Sequence, residues 1–140
     1  MKFWDSSALS AILLAESASA GVVQVLKSDP EAVIWWASRA ECASAILRRA
    51  REGRLGEKEV ETALERLDQL TADSMVIQPD NSVMDLAIVL MKRHPLAAAD
   101  AMQLASGLAW CRERPHGRGF ACLDNRLREA ARKEGFTVLP

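Results

Sequence analysis

Four acidic residues carry the chemistry that can be read in this chain: Asp5, Glu41, Asp100 and Asp124. Asp5 closes the short apolar run KFW, and Asp124 closes FACL. Glu41 follows the β-rich run AVIWW by a few residues, in the first turn of a helix. Asp100 is the only charged side chain in LAAADAMQLASGLAW. Carboxylates gathered in one pocket repel and raise one another's pKa unless a cation joins them. Oxygen ligands without His or Cys suit Mg2+, with Mn2+ as the alternative. Such an ion orients a phosphodiester, activates a water and stabilises the leaving oxygen, so metal-dependent phosphodiester hydrolysis is the reaction class this donor set favours.

Each acid also has a plainer explanation. Asp5 and Asp124 have the residue type and position of helix N-caps. Ser38-Arg39-Ala40-Glu41 reads as a capping box, with Ser38 as the cap. Asp100, early in its helix, complements the macrodipole. Asp100 resists this explanation best, because a helix that is apolar nearly all round belongs in a core, where a carboxylate is costly unless compensated. Gln103 and Gly107 share its face: Gln103 is expected to hydrogen-bond the Asp100 carboxylate, and Gly107 to admit a close neighbour.

The elements that must position these acids alternate between strands and helices. Strands are expected at Lys2–Trp4, Ala32–Trp36, Ser74–Ile77, Phe120–Leu123 and Phe136–Leu139. Helices are expected at Ala8–Glu16, with Ser6 and Ser7 as capping hydroxyls, and at Ser19–Lys27, stopped by Asp29-Pro30. Further helices follow from Ser38 to near Gly53, at Glu57–Leu70, Asn81–Arg93, Leu96–Trp110 and Asn125–Glu134, the last stopped by Gly135. The core face of the helix from Ser38 is read as Ala43, Ile46, Leu47 and Ala50. Alternation of this kind builds a parallel sheet covered on both faces. Ligands bind beyond the carboxyl ends of such strands, where the four acids can converge.

Composition sets the frame. A chain of 140 residues, 49% hydrophobic and 26% charged, suits one domain spanning residues 1–140. A net charge of −1 argues against tight nonspecific DNA binding while allowing a local basic groove. Cys42, Cys111 and Cys122 show no pairing pattern, so reduced thiols and a cytoplasmic location are expected. A zinc site from Cys111, His116 and Cys122 lacks the usual ligand spacing. The apolar run Ala8–Ala15 is too short for a leader peptide, and no stretch approaches a membrane span. Arg48 sits at i+7 from Glu41, where it could meet an RNA phosphate; Arg49, Arg51 and Arg54 extend that cluster, and Arg112, Arg114, Arg118 and Arg126 border the later acids. Of Trp35 and Trp36, one is expected in the core and the other under a helix. Trp4 and Trp110 are read as core, and nothing singles out His94 as a general base.

Four motifs, in order, resemble those of PIN-domain ribonucleases, and specifically the VapC-type toxins of bacterial toxin–antitoxin pairs. They are FWDSSAL, SRAECASAI around Glu41, LAAADAMQLASGL around Asp100 and FACLDNRLREAARKEGFTVL. The resemblance covers essentially the whole chain. It implies an α/β fold, a three-layer α/β/α sandwich with a central parallel sheet, and a Mg2+-dependent endoribonuclease with Asp5, Glu41, Asp100 and Asp124 as its acidic metal-binding set. It also implies a homodimer held inactive by a cognate antitoxin, contacted by an arm made of the helices Ser38–Glu52 and Glu57–Leu70. The chain departs from the family where Cys122 stands in place of a Ser or Thr, and Gln103 where a His is frequent. An inactive binding module with a vestigial site is a further reading, against which the presence of all four acids argues, and two others are open. One is a PIN nuclease of RNA maturation that works without an antitoxin. The other is a phospho-acceptor signalling domain, which needs a Lys on a late strand that this chain lacks.

Overall fold

The computed structural model describes residues 1–15 and 19–140. Among the described residues five short strands form one sheet: β1 (Lys2–Trp4), β2 (Ala32–Trp35), β3 (Met75–Ile77), β4 (Gly119–Ala121) and β5 (Thr137–Leu139). Their order is β3-β2-β1-β4-β5, and every pairing is parallel. Among the described residues seven helices cover it: α1 (Ser6–Leu13), α2 (Ser19–Ser28), α3 (Ser38–Arg51), α4 (Glu57–Asp73), α5 (Asn81–Arg93), α6 (Ala98–Trp110) and α7 (Asn125–Glu134). The expected end of the first helix at Glu16 lies outside the described residues.

The period-two alternation of strand side chains divides the interior into two cores. Phe3, Val33, Trp35 and Phe120 point to one face and pack with Val83, Leu90, Leu104, Leu127 and Phe136 from α5, α6, α7 and the approach to β5. Trp4, Ile34 and Ala121 point to the other face and pack with Leu9, Val22, Ile46 and Leu67 from α1 to α4. The sandwich therefore has three layers. On the first face Phe120 stacks on Phe3 and meets Phe136 at a tilt, both at 5.1 Å between ring centroids. Gly107 of α6 lies against this aromatic group: a Cβ there would stand 3.0 Å from Phe120 Cε2.

Several local expectations are corrected. The buried face of α3 is Ser38, Cys42 and Ile46, while Leu47 is exposed. Ser38 is not a side-chain cap: the N-cap is Ala37, and Ser38 Oγ faces Gln103. Ser38 and Glu41 face Gln103 of α6, Leu47 lies on the exposed side, and Ala43 stays half-buried against the second core. Trp36 does not pack under a helix; it is 56% exposed just beyond β2. Trp4 is fully buried, with an indole N–H that has no partner among the described residues, but Trp110 is only partly covered and carries the Arg118 guanidinium 5.5 Å from its ring centroid. His94, at the end of α5, is buried with its Nε2 2.7 Å from Glu134 Oε1 at the end of α7. All three cysteines are buried and free, and among the described residues no group of three His, Cys, Asp or Glu side chains forms a ready-made metal cluster. No helix of the described residues is long and apolar enough to cross a membrane.

Candidate metal-binding site

The chain leaves β1 in one direction across the sheet, through β2 to β3, and later returns to place β4 on the other side of β1. The crevice beyond the carboxyl ends of β1 and β4 is thus a topological switch point, where parallel α/β sheets bind ligands. Asp5 follows β1 directly and Asp124 stands three residues beyond β4. Glu41 is in the first turn of α3, after β2, and Asp100 in the first turn of α6. All four line one cavity of about 480 Å³, together with Ser6, Ser7, Ser10, Arg48 and Arg49.

Asp5 is the deepest of the four, at 2% exposure. It is the N-cap of α1, and its backbone N–H donates to Ala121 O at 2.9 Å, which pins it to the end of β4. Its Oδ2 accepts from the Ser7 N–H at 2.9 Å, from the Ser7 hydroxyl, and from the Cys122 thiol at 3.5 Å. Ser7 Oγ in turn accepts from Leu123 N–H at 2.9 Å, joining the start of α1 to the chain beyond β4. Ser6 and Ser7 are therefore not the helix caps expected of them, since Asp5 caps the helix and both hydroxyls are spent on acids. The buried Cys122 thiol takes the place expected of a hydroxyl, and burial, with Asp5 beside it, pushes its pKa far up, so it stays protonated and acts as a donor.

Glu41 Oε2 accepts from Ser6 Oγ at 2.5 Å and from Gln103 Nε2 at 2.9 Å. The capping-box explanation therefore fails for Glu41, and Gln103 serves Glu41 rather than Asp100. No local pattern pointed to this bond, which joins residues 62 positions apart. Asp124 is an N-cap, with Oδ1 accepting from Leu127 N–H at 2.8 Å, and its residue is exposed. Asp100 is half-buried, less deep than its apolar helix implied, because it faces the cavity rather than the core.

Burial first, and the neighbouring carboxylates after it, shape the electrostatics of the two cavity acids whose pKa is shifted. Burial, above all, pushes Asp5 up to about 6; the Ser7 and Cys122 hydrogen bonds resist this, and the charge of Glu41 adds to it. Asp100 is raised by burial, then by Asp124 and Glu41, with Arg126 opposing. The donors facing the cavity are carboxylate and hydroxyl oxygens, which fit a hard divalent cation.

The PIN domain model matches residues 2–133. Comparison with curated proteins returned no match. Among solved structures, the chain is similar to FitAcB from Neisseria gonorrhoeae, with a TM-score of 0.67 and 19% identity over 100% of this chain and 97% of that one. It is similar to the sarcin–ricin-loop-cleaving toxin VapC20 of Mycobacterium tuberculosis, with a TM-score of 0.66 and 17% identity over 93% and 95% of the two chains. A toxin–antitoxin complex from Klebsiella pneumoniae contains a third similar chain, with a TM-score of 0.62 and 12% identity over 90% and 88%. Identities this low carry the fold and nothing finer. The family model, which spans nearly the whole sequence, carries more: the chain belongs to the PIN-domain family, whose members are typically metal-dependent ribonucleases.

Proposed function

We propose that this protein is a Mg2+-dependent endoribonuclease, with Mn2+ able to replace Mg2+, and that it is the toxin of a toxin–antitoxin pair. The observation that carries the nuclease reading is the convergence of Asp5, Glu41, Asp100 and Asp124 on one cavity with Arg48 and Arg49 in its wall. In this reading Asp5 and Asp100 hold the ion, directly or through its waters, and Asp124 completes the set. Glu41 binds the ion or orients the attacking water. When bound, the ion supplies an activated water and charge stabilisation for the leaving oxygen. Arg48 and Arg49 draw an RNA phosphate over the acids, which would otherwise repel it. The hydroxyl and thiol donors around Asp5 hold its carboxylate in one orientation before the substrate arrives.

The toxin role rests on the ordered motifs and on the likeness to FitAcB, VapC20 and the Klebsiella complex. An antitoxin would grip the arm of α3 and α4. There Trp36, Arg39, Ala43, Leu64 and Leu67 line a second cavity of about 500 Å³. Met84, Ile88 and Met91 are exposed at helical spacing on α5, an apolar stripe that a second copy of the chain would cover. The test is cleavage of cellular RNA on expression, mapped for wild type beside Asp100→Asn. Mg2+- or Mn2+-dependent cleavage with growth arrest, lost in Asp5→Asn and Asp100→Asn, is expected. Cleavage that survives both substitutions overturns the assignment. Cleavage without growth arrest, and without a small protein partner that co-purifies, removes the toxin role alone.

A further inference from the structure

Gln103 is 1% exposed, and its amide has little freedom. Nε2 donates to Glu41 Oε2 at 2.9 Å and to Ser38 Oγ at 3.2 Å, while Oε1 lies 3.5 Å from the Ser38 hydroxyl as its acceptor. A flipped amide would turn its oxygen on the Glu41 carboxylate, two acceptors facing each other, so the bonding pattern itself fixes which end is which. Ser6 Oγ donates to the same Glu41 oxygen. Among the described residues, both hydrogen bonds to the Glu41 side chain fall on Oε2, and neither on Oε1. Asp5 follows the same rule: among the described residues, the hydrogen bonds to its side chain fall on Oδ2. Gln103 also stands one helical turn from Asp100 on α6, so one amide links the helix carrying Asp100 to the helix carrying Glu41. Hydrogen bonds to an ionised acceptor in a buried setting are the strong ones, and an amide donor does not titrate.

We propose that Gln103 is a positioning residue of the acidic cavity: its amide, steadied by Ser38, commits Glu41 Oε2 and leaves Oε1 as the oxygen offered to a divalent cation. This rests on the metal-dependent reading above. Partners that orient a ligating carboxylate carry roughly 10- to 100-fold in metal affinity. The experiment is calorimetric titration of the full chain with MnCl2, for wild type, Glu41→Gln, Gln103→Met and Gln103→His, with circular dichroism and a thermal melt on each. Gln103→Met keeps the length of the side chain and removes the donor; its Mn2+ affinity is expected to fall by about tenfold or more. Gln103→His keeps a ring N–H and is expected to recover most of the loss, which a purely structural role would not produce. Mn2+ binding in Gln103→Met equal to wild type overturns the proposal, as do Met and His variants that are equally weak. Should Gln103→Met fail to fold, Ser38→Ala removes the steadying partner instead; weakened binding supports the proposal and unchanged binding overturns it. If wild type binds no Mn2+, the metal-dependent reading falls and takes this inference with it; if Glu41→Gln binds as well as wild type, Glu41 offers no oxygen to the cation and the inference alone falls. Binding lost in Glu41→Gln and kept in Gln103→Met sinks the inference alone.

Discussion

Asp5 bears a conflict between stability and chemistry. Its carboxylate is almost wholly buried, and burial holds its pKa at about 6 against an ordinary value of 3.8. An acid raised in this way favours the fold in its protonated form. Its contribution is present below about pH 4 and is lost as pH rises through about 6. At neutral pH, without a cation, the charged Asp5 therefore costs the fold on the order of 3 kcal/mol. Asp5→Asn is expected to abolish cleavage and yet to raise the melting temperature by several degrees at pH 7 in chelating buffer. The gain should shrink towards pH 4, where wild type is protonated as well. A variant that melts lower than wild type at pH 7 would show that Asp5 is paid for by its hydrogen bonds alone. Asp5 and Asp124 were legible from their places at strand ends, Glu41 from the first turn of its helix and Asp100 as the lone charge of an apolar one. Their depths were not: the sequence pointed to Asp100 as the buried acid, but its helix starts at the rim of the cavity while Asp5 lies at its floor.

At the scale of elements, α6 shows how one helix serves two neighbours. Gly107 lets it approach the sheet closely enough for Phe120 and Phe136 to fill the space a side chain would take. Gly107→Val is expected to lower stability by about 1–3 kcal/mol through overpacking, read as a shifted urea midpoint with an unchanged slope. A neutral result would mean that the rings of Phe120 and Phe136 can yield. That Gly107 admits a close neighbour was readable from its spacing, although the neighbour itself was not. The opposite end of α6 carries Asp100 and Gln103, and here periodicity placed the residues on one face but misjudged their partners. Spacing within a helix tells which side chains are adjacent on its surface; which residue of another helix faces them depends on the packing of α6 against α3. The same limit explains α3. Its apolar pattern pointed to Ile46 and Leu47 together, and the packed helix buries Ile46 beside Cys42 and Ser38 while Leu47 is exposed.

At the scale of the molecule, the proposed reading makes folding and metal binding one equilibrium. An ion that binds only the folded chain stabilises it by about 2.7 kcal/mol when present at 100 times its dissociation constant. Mn2+ is therefore expected to raise the melting temperature of wild type, reversibly on chelation, and to leave that of a chain carrying both Asp5→Asn and Asp100→Asn unmoved. An equal shift in both proteins would place the ion elsewhere.

The sequence alone determined the alternation of strands and helices, the parallel sheet covered on both faces, the stop at Gly135 and the four acids, because hydrophobic period, helix stops and strand-end chemistry are local properties. Tertiary structure alone decided which acid is buried, which oxygen of Asp5 and Glu41 is committed, and that Ser6, Ser7, Gln103 and Cys122 are their partners. These follow from contacts between residues as far as 117 positions apart, from Cys122 to Asp5, and no local pattern encodes the orientation of two elements that meet only when the chain has closed around its sheet.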